Sequence, residues 1–148
     1  MLRFRRKKSF SALLKKINDL CDLLRKGKRE YEQMAASLPD KEIRQTILTL
    51  AQERNQYACE LSAQLKIFGV KEAVERPQEQ KVAFKYFRNL SAVLLFCRLR
   101  ERKTLRAYRK LLKQSSINQG IQRMIHYQLE GMKCAFIQIK LLSSLKFS

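Results

Sequence analysis

The sequence predicts an all-α protein that folds as an antiparallel four-helix bundle. Apolar side chains recur every three or four residues over four stretches, which is the periodicity of helices with one buried face. Only four glycines and two prolines occur among 148 residues, and no stretch shows the alternation typical of a strand. Each stretch is about 24–30 residues long, so the helices match in length at roughly 36–45 Å.

The first helix is predicted over residues 11–37. Its apolar stripe consists of Leu13, Leu14, Ile17, Leu20, Cys21, Leu24, Tyr31, Met34 and Ala35. Ser9 or Ser11 is expected to cap its start, because a serine oxygen can accept a hydrogen bond from a free N–H of the first turn. Gly27 lies in the middle and weakens the helix by about 1 kcal/mol relative to alanine. Residues 1–10 are predicted to form a basic N-terminal arm, and residues 11–148 a single bundle domain.

The second helix is predicted to begin around Ser37, which is assigned as its N-cap. Pro39 then falls in the first turn, and Asp40 completes a capping box. The apolar stripe of this helix is Ile43, Ile47, Leu50, Tyr57, Leu61, Leu65 and Phe68. Gly69 is expected to end it in the left-handed conformation. Because one or two residues separate the first two helices, they are expected to be antiparallel neighbours.

A polar connector is predicted over residues 69–80, and a short linking helix is expected to follow it and to end near Asn89. Ser91 is expected to cap the third long helix, and residues 114–119 to form the turn that leads to the fourth. The third stripe is Val93, Leu94, Cys97, Leu105, Tyr108, Leu111 and Leu112. The fourth is Ile121, Met124, Ile125, Met132, Ala135, Phe136, Ile139 and Leu142.

Several short motifs occur in a fixed order along residues 12–145. They are Ile17-Asn18-Asp19-Leu20, Gly27 with Tyr31-Glu32, Leu50-Ala51-Gln52-Glu53-Arg54 with Glu60-Leu61, and Ala92-Val93-Leu94 through Leu105-Arg106-Ala107-Tyr108. In this order they resemble a bacterial family of ferritin-like four-helix bundles, a domain family of unknown function. The resemblance implies the bundle and the linking helix between the second and third long helices, and it implies no established activity.

A ferritin-like fold raises the hypothesis of a di-iron site. Such a site needs a glutamate from each of two helices and a Glu-x-x-His motif from each of the other two. Glu32 and Glu53 are candidates on the first two helices. The position three residues after Glu53 is Gln56, and the position three residues after Glu130 is Lys133, so neither Glu-x-x-His motif is present. The resembling family tends to carry acidic residues where this chain has Leu95, Phe96, Arg98, Arg102, Arg109 and Lys110. No cofactor is therefore expected, and a metal-handling or oxidoreductase bundle is kept as the alternative.

Four cysteines fall one on each long helix, without a CxxC pair. A thiolate layer that binds Zn²⁺ or Cu⁺ is one interpretation. The sides of the helices on which the cysteines lie argue instead that they are small apolar packing residues. Cys97 lies on an apolar stripe, Cys21 and Cys134 lie at the flanks of theirs, and Cys59 is expected to point outward. His126 is the only histidine and is expected at the surface or its boundary. With no acid–base or nucleophile constellation, no enzymatic activity is expected.

Positive charge is the strongest indication of function in this sequence. Lysine and arginine number 32 against 13 aspartates and glutamates, which gives a net charge of +19. One cluster is the N-terminal arm with Arg3, Arg5, Arg6, Lys7 and Lys8. The other lies on the third helix and consists of Arg98, Arg100, Arg102, Lys103, Arg106, Arg109, Lys110 and Lys113. Of these, Arg98, Arg102, Arg106, Arg109, Lys110 and Lys113 are assigned, with the arm, to a polyanion-binding site. Self-repulsion makes such a bias costly, and an anionic partner would offset it.

These two clusters predict a non-catalytic binding or scaffolding protein with a polyanionic partner. Nucleic acid is ranked first, because counterion release rewards a row of cations whatever the base sequence. An anionic membrane surface and an acidic protein are alternatives, as are a homo-oligomer of structural role and a solvated face with no partner. Any nucleic-acid binding is expected to be non-specific, since no recognition motif is present. The basic start is not followed by the apolar core of a secretory signal, so a cytoplasmic location with reduced thiols is expected. An organelle transit peptide is the alternative interpretation of this basic, acid-poor start.

Overall fold

A computed structural model describes residues 2–71, 90–114 and 117–147 of the chain. Within these ranges the secondary structure consists of four long helices and no strand. The helices are α1 (Leu2–Ala36), α2 (Lys41–Ile67), α3 (Leu90–Leu112) and α4 (Gln119–Phe147). The sequence-based prediction of an all-α four-helix bundle is confirmed.

The four helices form a ring in which each one packs against two others. α1 contacts α2 and α3, and α4 contacts α3 and α2. The interior contains two apolar clusters along the length of the bundle. One is built around Leu13, Ile17, Leu24, Leu61 and Ile125. The other is built around Met34, Ile43, Ile47, Val93 and Ile139.

The start of α1 differs from the sequence-based expectation. The helix begins at Leu2, so residues 2–10 continue α1 rather than stand apart from it as an arm. Ser9 and Ser11 consequently lie inside the helix and not at its start. The expected connector beyond Lys71 and the linking helix that ends near Asn89 lie outside the described residues. α3 begins at Leu90, so that Ser91 also falls within its helix.

The N-cap of α2 is Asp40 and not Ser37. Its Oδ1 accepts hydrogen bonds from the backbone N–H groups of Glu42 at 3.0 Å and Ile43 at 3.2 Å. The Ser37 hydroxyl instead donates to the carbonyl oxygen of Met34 at the end of α1, at 2.8 Å. A carboxylate satisfies two free N–H groups and also places negative charge at the positive end of the helix dipole.

The end of α2 follows the prediction. Gly69 has a φ of 80°, a conformation that disfavours any side chain with a Cβ. Its N–H donates to the carbonyl oxygen of Lys66 at 3.0 Å, and the N–H of Val70 donates to that of Leu65 at 2.9 Å. This pair of bonds is a Schellman motif, which turns the chain out of the helix.

The turn between α3 and α4 was also predicted, but its capping residue was not. Asn118 Oδ1 accepts a hydrogen bond of 2.8 Å from the N–H of Ile121 in the first turn of α4.

None of the described helices combines the length and the apolar character needed to cross a membrane.

Gly27→Ala is expected to raise the free energy of unfolding by about 1 kcal/mol, because glycine inside a helix costs about that much relative to alanine. Gly27 lies in the middle of α1, and nothing lies within 4 Å of the position that a Cβ would take. Gly131→Ala on α4 is the matched control. There the added Cβ would overlap the Tyr57 hydroxyl oxygen and lie 3.0 Å from its Cζ. In urea unfolding, Gly27→Ala should raise the free energy of unfolding and Gly131→Ala should lower it. Equal changes in the two variants would contradict this prediction.

Candidate functional site

The α3 helix divides its charged side chains between the interior and the outer surface. Its buried stripe consists of Val93, Leu94, Cys97, Glu101, Thr104, Leu105, Tyr108 and Leu111. These positions recur every three or four residues, so they occupy one side of the helix. Glu101, the one acidic residue of α3, belongs to the buried side.

Most of the α3 residues that the sequence assigned to a polyanion site are exposed. We define the α3 basic surface as its six exposed cations, Arg102, Lys103, Arg106, Arg109, Lys110 and Lys113. At 1.5 Å per residue, they extend over about 16 Å of the helix. Lys103 was not part of the predicted set. Arg98 was, but it is half-buried, and its Nε is enclosed without a hydrogen-bond partner among the described residues.

No carboxylate neutralises the α3 basic surface within the part of the chain that the structure describes. None of its six side chains takes part in an ion pair or a side-chain hydrogen bond there. Cations that lie three or four residues apart on a helix repel one another. Arg109 and Lys110 lie in the last turn of α3 and Lys113 directly follows it, so these three gain some compensation from the negative end of the α3 dipole. Arg102, Lys103 and Arg106 lie farther from that end.

The acidic residues of the chain are distributed unevenly between the two halves of the bundle. Residues 2–71 contain sixteen basic and eight acidic side chains, whereas residues 90–147 contain twelve basic and only two acidic ones. Of those two, Glu101 is buried and Glu130 forms an ion pair with Lys133 at 3.0 Å. Residues 90–147 therefore carry a net charge of +10, against +8 for residues 2–71, with few carboxylates to balance it.

The second predicted cluster lies in the first turns of α1. The backbone of Arg3, Arg5, Arg6, Lys7 and Lys8 is helical, and Lys8 is exposed. The side chains of the other four lie outside the described set. These residues precede the turn that contains Phe10, which packs on Phe68 at the end of α2 with ring centroids 5.2 Å apart.

A buried ion pair joins α2 to α3 where the two apolar clusters meet. The guanidinium of Arg54, with 2% of the side chain exposed, donates to Oε1 of Glu101, with 1% exposed. The hydroxyl of Tyr31 on α1 donates to the same oxygen at 2.6 Å. Burial, with the Glu101 carboxylate as a second cause, raises the pKa of Tyr31 well above its ordinary value, so the phenol keeps its proton.

Further charges extend this network. Arg54 also contacts Glu53 at 3.2 Å, and Arg100 on α3 contacts Glu30 on α1 at 2.5 Å. We call the six residues the buried ion-pair layer: Glu30, Tyr31, Glu53, Arg54, Arg100 and Glu101. Glu30 and Glu101 each keep one enclosed oxygen that has no hydrogen-bond partner among the described residues. The layer was not predicted from the sequence.

A second buried polar group connects α4 to its two neighbours. Gln128, with no exposed surface, accepts a hydrogen bond from the Tyr108 hydroxyl of α3 at 2.7 Å. Its Nε2 donates to the backbone oxygen of Tyr57 at 3.3 Å and to Oε2 of Glu60 at 3.1 Å on α2. These bonds orient α4 within the bundle, and they leave the amide with partners on both sides.

The two glutamates considered for a metal site have other partners. Glu32 is exposed and pairs with Lys28 at 3.5 Å, and Glu53 pairs with Arg54. The described ranges contain no group of three or more histidine, cysteine, aspartate or glutamate side chains that could hold a metal ion. The Arg54 guanidinium lies beside the buried carboxylate, where its charge would repel a cation.

The cysteines lie in two different environments. Cys97 is buried and Cys59 is exposed, as the stripes predicted. Cys21 was expected at a flank but is buried, and its Sγ lies 3.8 Å from the carbonyl oxygen of Ala58. Cys134 is exposed. The four side chains therefore do not share one interior layer.

Cys59 and Cys134 are expected to react rapidly with a thiol reagent, whereas Cys21 and Cys97 react only on unfolding. Burial raises the pKa of Cys21 and of Cys97 to about 12, so both remain protonated near neutral pH and are also shielded. Ellman's reagent should count two fast thiols per native chain, and a Cys59→Ser/Cys134→Ser variant should show none. Four fast thiols would contradict the buried positions.

His126, the only histidine of the sequence, is exposed on α4.

No protein-family model matches this chain. A search of curated proteins also finds no match. The functional conclusion consequently rests on the charge and packing of the chain itself.

Proposed function

We propose that this protein is a non-catalytic binding or scaffolding protein that engages a polyanion through the α3 basic surface, with nucleic acid as the first partner to test. One observation carries the proposal. Six cations on the outer side of one helix have no carboxylate partner in the described bundle, and the only acidic residue of that helix, Glu101, is turned inward and paired with Arg54.

The arrangement suits a regular row of phosphates better than a single small anion. The cations are exposed, they extend over about 16 Å of the helix, and no pocket is needed to reach them. Lysine and arginine side chains that neutralise phosphates release condensed counterions, and this release supplies binding free energy without reading bases. The N-terminal cluster from Arg3 to Lys8 is proposed to add further contacts.

We also propose that the bundle has a ferritin-like, antiparallel arrangement. The order of contacts between α1 and α3 supports it, because Tyr31 bonds to Glu101 while Met34, farther along α1, contacts Cys97, earlier on α3. The long connection between Phe68 and Leu90 leaves room for a crossover from α2 to α3. The proposal concerns architecture and carries no metal chemistry with it.

A salt titration with a DNA duplex is the direct test of polyanion binding. If all six cations of the α3 basic surface contact phosphates, the logarithm of the association constant should fall with the logarithm of salt concentration at a slope of about −5. Fluorescence anisotropy at several salt concentrations gives this slope. A slope near zero, or no binding at low salt, would show that the surface is merely solvated.

A further inference from the structure

The outer side of α4 carries a row of exposed apolar side chains. Ile137, Leu141 and Leu145 are spaced four residues apart, and the three residues are 55%, 56% and 74% exposed to solvent, respectively. Leu95 and Leu99 on α3 are 54% and 55% exposed. Side chains that are more than half open stand out from the surface rather than line a groove.

These apolar residues continue the α3 basic surface. Along the outer side of α3, Leu95 and Leu99 are followed by Arg102 and Arg106 at steps of three or four residues. The first half of this side is therefore apolar and the second half cationic. No exposed carboxylate of α3 interrupts it within the described residues, because Glu101 is buried.

The apolar residues of α3 and α4 reach the same level of the bundle at Leu95 and Ile137. The two helices pack against each other and are joined by the short connection 113–118. Leu95 precedes this connection by 18 residues and Ile137 follows it by 19, so the two lie at a similar height. Lys140 lies between Ile137 and Leu141 in the sequence, and its Nζ is 4.6 Å from the centroid of the Phe136 ring.

We infer that this α3–α4 face binds the surface of an anionic phospholipid membrane. We define the face as Leu95, Leu99, Ile137, Leu141 and Leu145 together with the α3 basic surface. The inference rests on the proposed function, since the same α3 cations hold the anion, and it names lipid phosphate as the source of that anion. Protruding aliphatic side chains enter the headgroup region of a bilayer, while neighbouring cations bind its phosphates.

Other occupants fit this face less well. A nucleic-acid backbone offers sugars and phosphates, so it gives exposed leucine and isoleucine side chains nothing to be buried in. The same face of a second copy consists of apolar residues and six more cations, so it has no carboxylate that could neutralise the α3 basic surface. Charge complementarity together with protruding apolar groups therefore favours a lipid surface.

Flotation with vesicles tests the inference on the full chain. Binding to phosphatidylcholine vesicles that contain about 30% phosphatidylserine is compared with binding to vesicles of phosphatidylcholine alone. We expect binding to the anionic vesicles only. Ile137→Ser/Leu141→Ser should weaken it by about tenfold or more, because two inserting side chains are lost without any change in charge. Leu95→Ser/Leu99→Ser should act in the same direction.

Two further variants separate the possible causes of weaker vesicle binding. One removes an exposed apolar side chain outside the face, and the other changes a charge within it. Ile67→Ser removes a side chain that is 71% exposed on α2, away from the face, and should leave vesicle binding unchanged. Arg106→Glu should weaken binding by about fivefold or more, as expected for one cation at an anionic membrane surface. Circular dichroism confirms that each variant keeps its helices.

The outcomes distinguish this inference from the proposed function. If Ile137→Ser/Leu141→Ser binds anionic vesicles as tightly as the wild type, or if vesicles do not bind while DNA does, the membrane inference is wrong and polyanion binding stands. If neither vesicles nor DNA bind at low salt, both are wrong. Serine variants that lose vesicle binding but keep any DNA affinity of the wild type would support insertion into lipid.

Discussion

Replacing Arg54 with methionine is expected to lower the free energy of unfolding by about 3–5 kcal/mol at neutral pH. Methionine fills a similar length of space, but Glu101 then stays buried with its charge uncompensated. Within the described residues, the Tyr31 hydroxyl at 2.6 Å would then be the one donor left to that carboxylate. Urea unfolding followed by circular dichroism measures the loss.

A double variant ties this loss to the buried charge. In Arg54→Met/Glu101→Gln both charges are absent, and the glutamine oxygen can still accept from Tyr31, so most of the stability should return. A loss below about 1 kcal/mol, or a double variant as unstable as the single one, would contradict the buried pair.

The double variant Arg102→Glu/Arg106→Glu is expected to lower DNA affinity by roughly 60-fold at 0.1 M salt, because each lost phosphate contact removes about 0.9 logarithmic units per decade of salt. Repulsion by the new carboxylates adds to this loss. The slope of the salt dependence should also fall by about two. Fluorescence anisotropy with the same DNA duplex provides both values.

Lys15→Glu/Lys16→Glu is the matched control for this variant. Both lysines are exposed on α1, so the change in net charge is identical while the α3 basic surface is untouched. We expect this control to weaken binding only slightly. Equal losses in the two double variants would show that overall charge, rather than the α3 surface, governs binding.

Helix content was predictable because the apolar periodicity is strong and the sequence is poor in glycine and proline. The end of α2 at Gly69 was predictable for a local reason, since a Schellman motif depends on residues within one turn. The start of α2 was harder, because Ser37 and Asp40 can both cap a helix and the choice depends on where α1 ends. Cys21 was placed at a flank because the packing of α2 against α1 was not available from periodicity alone.

The buried ion-pair layer was missed because charged residues are expected at the surface unless they are paired. A signal was nevertheless present in the spacing. Arg54 follows Leu50 by four residues and precedes Tyr57 by three, so it lies on the buried stripe of α2. Glu101 lies four residues from both Cys97 and Leu105. What the sequence could not supply is that α2 and α3 bring these two positions together.

The exposure of the α3 cations was predicted correctly for most of them but not for Arg98. Helical spacing correctly indicated that Arg102, Arg106 and Arg109 share the outer side of α3. Arg98 was grouped with them, but it lies near the packing of α3 against its neighbours and is half-buried. Lys103 was counted in the basic cluster but not in the predicted site, although it precedes Arg106 by three residues and the exposed arc of the helix is wide enough to include it.

The buried pair between Arg54 and Glu101 also restricts how the two halves of the chain can be assembled. If α3 slid by one helical turn along α2, Arg54 would face Cys97 or Leu105, and a buried guanidinium would lose its counter-charge. Apolar side chains alone tolerate such a slip, because one aliphatic contact can replace another. The pair therefore fixes the register of α3 along α2. Fragments that contain α1–α2 and α3–α4, expressed separately, should recombine in that single register.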